Sequence, residues 1–251
     1  KKWSLERWKQ AMRSENFDRV YEIAEIYNTK WSDHYRDEDI VRIVAKALDA
    51  AGIVQKPGTA MGGGSLRPGL QWPGLAYLEV QKGIEAKGLL DAKIDVSDNA
   101  NSSSEMTRRE LYTRLFEDIR AWYVSGVGQR GVPNQQLHNL WSGYAANQAL
   151  QHISPGKYWA LDEEWTDNKL PRGRTVHRSY TGHTSMGIEQ PPVNSFIKMF
   201  EVAAGIRRNY WGTRDFSPIT GMPNEAGYSA GYGDNCVRNI VRLWEHTRYP
   251  P

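Results

Sequence analysis

The feature that most constrains this chain is a helical spacing of apolar side chains that recurs from one end to the other. Phe17, Tyr21, Ala24 and Tyr27 stand one turn apart, and Ile40, Val44, Ala47 and Ala51 repeat the pattern. Leu111, Leu115, Ile119 and Trp122 form another stripe, and Leu137, Trp141, Tyr144 and Gln148 a further one. Phe196, Met199, Phe200 and Ala203, then Val237, Ile240, Val241 and Trp244, close the series. Residues at these intervals share one face of an α-helix, so each stripe predicts a helix that must bury one side. A weaker stripe predicts a helix over 74–88. No stretch alternates apolar and polar residues as a half-buried strand does. The expected class is therefore all-α.

Breaks between the stripes give the organisation. Gly52 and Pro57 are expected to end one helix, and a Gly/Pro-rich loop follows over 57–74. The polar run DVSDNANSSSE, 95–105, ends in Ser and Glu residues suited to cap the helix through 108–124. Long loops are expected over roughly 154–192 and 211–233. Both carry Trp, Tyr, His and Arg, and loops of such length in compact domains are usually functional or disordered. Helices and long loops alternate in the rhythm of stacked helical hairpins, a solenoid or a curled toroid. A single domain over 1–251 is the expected arrangement.

Composition excludes several functions. A net charge of +3 is small and spread along the chain, so neither a nucleic acid nor a membrane surface is an expected partner. No apolar stretch reaches membrane-spanning length. Cys236 is the only cysteine, which rules out an internal disulfide and a cysteine-built metal site. Six histidines occur, but His177 and His183 match no common zinc spacing and there is no HExxH, so no metal and no cofactor are expected. GGG at 62–64 lacks the lysine and hydroxyl of a phosphate loop. The aromatic inventory is unusual: 10 Trp and 13 Tyr against 5 Phe. Rings with a polar edge suit both sugar-binding surfaces and helix packing with satisfied hydroxyls.

Three stretches concentrate polar chemistry. In RGVPNQQLHNLWSGYAANQAL, Asn134 and Gln135 follow a Gly-Val-Pro turn at the start of a predicted helix. Their amides, with free backbone N–H groups, can grip a carboxylate; the plainer reading is Asn134 as an N-cap. His138 lies one turn on, on the face of Asn134, and Asn147 and Gln148 continue the polar face. RTVHRSYTGHTS gathers Arg174, Arg178, Tyr180 and His183. In NEAGYSAGYGD, glycines surround Glu225, Tyr228 and Tyr232 and let a backbone approach a ligand closely.

Taken together, PNQQLHNLWSGYAANQAL and, far downstream, MPNEAGYSAGYGDNCVRNIVRLW resemble the catalytic domain of the α/α-toroid polysaccharide lyases, the heparinase II/III-like and chondroitin/hyaluronan lyase-like group. Gln135 stands where many such enzymes carry His or Trp, and the stretch around Glu225 lacks a His that some carry. The resemblance implies a small or incomplete (α/α)n toroid with long loops lining a cleft, either a piece of a longer enzyme or a minimal toroid. It implies β-elimination on an anionic, uronic-acid-containing polysaccharide. Asn134, with Gln135, would neutralise the carboxylate; His183 or Tyr180 would be the base, with Arg174 and Arg178 able to lower the phenol's pKa. Tyr228 would be the acid. Glu225 would orient neighbours or reach a hydroxyl, His138 would line the cleft, and Trp72 and Tyr232 would stack on sugar faces. A secreted or periplasmic location is expected, the signal peptide either having been removed or never having been there. Two other readings stand beside it. A helical-barrel glycoside hydrolase would pair Asp162, Glu163 or Glu164 with Glu225. A non-catalytic scaffold would bind glycan without turnover. Oligomeric state is left open.

Overall fold

The computed structural model describes residues 18–54, 71–97, 104–124, 133–155, 174–176, 188–190 and 241. These are mostly helical. In chain order they form α1 (Asp18–Asn28), α2 (Glu38–Val54), α3 (Gln71–Ala86), a 3-10 turn (Leu89–Asp91), β1 (Lys93–Asp95), β2 (Glu105–Thr107), α4 (Arg108–Val124), α5 (Pro133–Ile153), β3 (Arg174–Val176) and β4 (Ile188–Gln190). The chain divides into two compact units. Residues 18–54, 71–97, 104–120 and 145–155 belong to the first, and 121–124, 133–144, 174–176, 188–190 and 241 to the second.

In the first unit α1, α2 and α3 pack on one another. Their stripes are the core: Tyr21, Ala24, Val44, Ala47 and Ala51 are buried, as are Leu111, Leu115 and Ile119 of α4. The helices approach closely where a side chain is missing. A Cβ on Gly74 would lie 2.8 Å from the carbonyl carbon of Ala145, so α3 and α5 meet there almost backbone to backbone. At Gly52 a Cβ would lie 2.5 Å from Cγ of Leu111, which fills the notch from α4.

That contact corrects one boundary. Gly52 does not end α2, which runs on to Val54; the glycine makes room for Leu111, and the Gly52 carbonyl accepts a bond from Arg114 Nη2 at 2.9 Å. α3 begins at Gln71, earlier than its stripe suggests, because Pro73 in a first turn removes only an N–H that had no helical partner. The cap of α4 also lies later in the chain than expected. Glu105 pairs with Asp95 in an antiparallel β1–β2 ribbon, and the cap is Thr107 with Glu110. The Thr107 N–H donates to Glu110 Oε2 at 2.9 Å and the Glu110 N–H to Thr107 Oγ1 at 3.2 Å, a reciprocal capping box.

In the second unit, β3 and β4 form an antiparallel pair with Arg174 opposite Gln190, inside a stretch read from sequence as loop. Val241 is helical, as its stripe predicts, but stands 47% exposed and is not a core position. The expected helix around Phe196–Ala203 lies outside the described residues.

Candidate functional site

The sequence places the first candidate residues at the opening of α5. The helix starts at Pro133, whose fixed φ suits a first turn and whose missing N–H costs nothing there. Asn134 and Gln135 therefore lie inside the first turn, and Asn134 stands two positions past the N-cap position. Backbone N–H groups of a first turn have no intrahelical acceptor, and the helix dipole adds partial positive charge. His138 follows four residues after Asn134, at a register that shares its face.

Further along, the helix is enclosed. Every residue from 141 to 147 is buried, including Trp141, Ser142, Tyr144 and Asn147. Trp141 meets Tyr144 edge-on with ring centroids 5.9 Å apart. Burial pushes the Tyr144 phenol up to about 12. Asn147 is not a continuation of an open polar face: its Oδ1 accepts a bond from Arg120 Nε at 3.2 Å within the core.

Trp72 sits in the first turn of α3, half-buried. Its ring stacks on Tyr21 with centroids 5.4 Å apart and planes 25° from parallel, so that face is taken up by packing. Arg174 is the first residue of β3. Arg178, Tyr180, His183, Glu225, Tyr228 and Tyr232 lie outside the described residues, as do Asp162, Glu163, Glu164 and Cys236.

Most of the polar-edged aromatics among the described residues serve packing, Trp31 and Tyr35 being exposed. Tyr21, Tyr77, Tyr112 and Trp141 are among the largest fully buried side chains. Tyr112 donates its hydroxyl to the Ala45 carbonyl at 3.0 Å and to Asp49 Oδ1 at 2.8 Å. Burial, then the Asp49 charge, raises its pKa well above the ordinary value. The Tyr77 hydroxyl lies 3.4 Å from His152 Nδ1, and burial raises its pKa too. These phenols stay protonated at neutral pH.

Two charged groupings escaped the sequence reading. Arg108 forms a two-pronged pair with Asp49, Nε to Oδ1 at 2.9 Å and Nη2 to Oδ2 at 2.9 Å, both side chains about six-sevenths buried. Next to it Arg109 Nε bonds Asp91 at 2.8 Å. Two cations in the first turn of a helix oppose its dipole, and that conflict is the signal that acids had to be nearby. The second grouping joins His152 to Glu85, Nδ1 to Oε1 at 3.4 Å, beside Tyr77. Among the described residues, no cluster of His, Cys, Asp and Glu is arranged to hold a metal ion. No helix among them is long and apolar enough to cross a membrane.

Comparison of the chain with protein-family models, with curated proteins and with solved structures gave no match.

Proposed function

We propose that this chain is the catalytic part of a polysaccharide lyase that cleaves a uronic-acid polymer by β-elimination, with its helices arranged as hairpins of an α/α toroid. What supports the reading is the start of α5 at Pro133, so that Asn134 and Gln135 fall in the first turn of a helix, where backbone N–H groups have no intrahelical acceptor. The largely helical character of the described residues supports the architecture.

The chemistry needs three acts. The sugar carboxylate must be neutralised so that the proton on the adjacent C5 becomes acidic. Neutral amides and a helix N-terminus do this without introducing a proton, and they strengthen as the enolate charge grows. A base, His183 or Tyr180, then takes the C5 proton, and the C5–H electrons become the new C4–C5 double bond. The C4–O bond breaks, and Tyr228 gives its proton to the departing oxygen. Atoms balance without water, so the product carries an unsaturated ring.

Alginate, glucuronan, hyaluronan and heparosan, each incubated with the protein, test this by the ultraviolet absorbance of the unsaturated product. Asn134→Ala should lower kcat on the active polymer by roughly 10²–10³-fold, the usual loss of one preorganised donor. Tyr228→Phe should reduce it at least as much. Cleavage without new absorbance would mean hydrolysis, and absorbance unchanged in both variants would remove these residues from the mechanism.

A further inference from the structure

Nδ1 of His152, in the last turn of α5, is set between two partners with opposite needs. It lies 3.4 Å from the Tyr77 hydroxyl and 3.4 Å from Glu85 Oε1. Tyr77 is fully buried and meets the imidazole edge-on, with ring centroids 6.0 Å apart. Burial, then the Glu85 charge, keeps the proton on its hydroxyl. A buried O–H left without an acceptor costs the full desolvation of that group. Among the described residues, the acceptor within reach of this one is Nδ1. Accepting requires a bare lone pair there, with the ring proton on Nε2. The Glu85 carboxylate is an acceptor only and requires a proton on the same nitrogen.

The charge on the ring decides which partner is served. Glu85 is 49% exposed and has solvent to bond, so a neutral ring goes to the buried hydroxyl. A protonated ring has no lone pair: Nδ1–H donates to Glu85, and the Tyr77 proton is stranded. The last turn of a helix also favours the cation. α5 itself carries no Asp, Glu, Lys or Arg. On α3, Tyr77 and Glu85 face the imidazole, while Glu79 is engaged by Asn28 and the charge of Lys82 acts on Tyr35. From α4, Arg109 opposes a second cation, but its Nε bonds Asp91 at 2.8 Å and its Nη1 the Ile153 carbonyl at 2.9 Å. The His152 side chain is 24% exposed, so protons reach it from solvent.

We propose that His152 is a proton-operated joint between α3 and α5. Neutral, it anchors the end of α5 inward on Tyr77; charged, it releases Tyr77 and holds Glu85 at the rim. Imidazole is the side chain whose ordinary titration falls within roughly pH 5–8, so the exchange belongs to mild acidity. The joint stands whether or not the chain is a lyase.

Imidazole-nitrogen correlation spectra of the nitrogen-15-labelled full chain, taken from pH ~8 to ~5, read the proton positions directly. The His152 signals, identified by their absence in His152→Ala, should show the Nε2–H tautomer at the upper end and a doubly protonated ring at the lower. Urea unfolding at the two ends then weighs each partner. Tyr77→Phe should lower the folding constant by about fivefold at pH ~8, the worth of one hydrogen bond, and leave it unchanged or raised at pH ~5. Glu85→Gln should do the reverse, a roughly two- to fivefold loss at pH ~5, as a partly exposed ion pair gives, and little at pH ~8. Introduced into His152→Ala, neither change should depend on pH. The joint is overturned by a neutral ring that carries its proton on Nδ1 or by a ring that keeps one protonation state throughout. Losses in Tyr77→Phe and Glu85→Gln that do not change between the two ends overturn it equally.

Discussion

Replacing Gly74 by alanine tests how closely α3 and α5 are packed. The new Cβ would sit 2.8 Å from both the carbonyl carbon and the Cβ of Ala145 and 3.0 Å from the Ala146 nitrogen. Carbon pairs are comfortable near 3.5–4.0 Å, so the two helices must part by roughly 0.7 Å or more. Two of those three atoms are backbone in the middle of a buried helix and cannot rotate away. Overpacking costs about 1–3 kcal/mol and occasionally more, and a clash against backbone belongs at the upper end. Alanine is about 1 kcal/mol better than glycine in a helix, which offsets part of it. The net expectation is a loss of ~1–3 kcal/mol. Gly52→Ala is the internal control: the three atoms nearest its Cβ all belong to the Leu111 side chain, from 2.5 Å, and that side chain has rotamers to use. Urea unfolding followed by circular dichroism should rank Gly74→Ala below Gly52→Ala. Equal or greater stability of Gly74→Ala than wild type would refute the packing argument.

Three further outcomes are expected. Thr107→Ala removes the hydroxyl half of the α4 capping box and should cost ~1 kcal/mol by the same unfolding assay, with no cost meaning the box is ornamental. Asp49→Ala strands Arg108 in a mostly buried setting and deprives the Tyr112 hydroxyl of one acceptor, so a loss of about 2–4 kcal/mol is expected; an Arg108→Met, Asp49→Leu double variant should recover much of it, as buried pairs often exchange for apolar ones at little cost. Acid should also destabilise the fold. The hydrogen bond from Arg109 holds the Asp91 carboxyl below its ordinary value of 3.8, and the hydrogen bond with His34 does the same for Asp37. Folded values below the unfolded one give stability that is complete above pH ~4 and lost as pH falls through the folded values. The urea midpoint should therefore drop below pH ~4, less steeply in Asp91→Asn, and an identical slope in that variant would exclude Asp91.

The stripes of α1, α2 and α4 were legible because burial on one side of a helix imposes a period that sequence records directly. Tyr21, Val44 and Leu115 are core residues for that reason. The start of α5 was legible for a different one, since a proline can stand in a first turn and rarely elsewhere in a helix. What was misread depends on distant partners. Gly52 looked like a stop, and only the arrival of Leu111 from another helix makes it a packing site. The wealth of tyrosine looked like a sugar surface, but Tyr112 finds its acceptors on α2, which no local pattern announces. Trp31 went unnoticed because a single exposed ring in a polar loop has no periodicity at all.

The arginines of α4 show how such long-range partners fix a helical assembly that apolar contact alone would leave free to slide. Leucine and alanine faces are forgiving: a helix can rotate or shift along its axis at modest cost while keeping area buried. Directional bonds are not. Arg108 reaches Asp49 and Arg114 the Gly52 carbonyl, both on α2, while Arg109 reaches the Ile153 carbonyl at 2.9 Å and Arg120 the Asn147 amide at 3.2 Å, both on α5. Two of these acceptors are carbonyls in the last turns of their helices, where no intrahelical donor exists and a cation is favoured by the dipole. α4 is thus bonded at two heights to each of two neighbours, which sets its rotation and its axial position together.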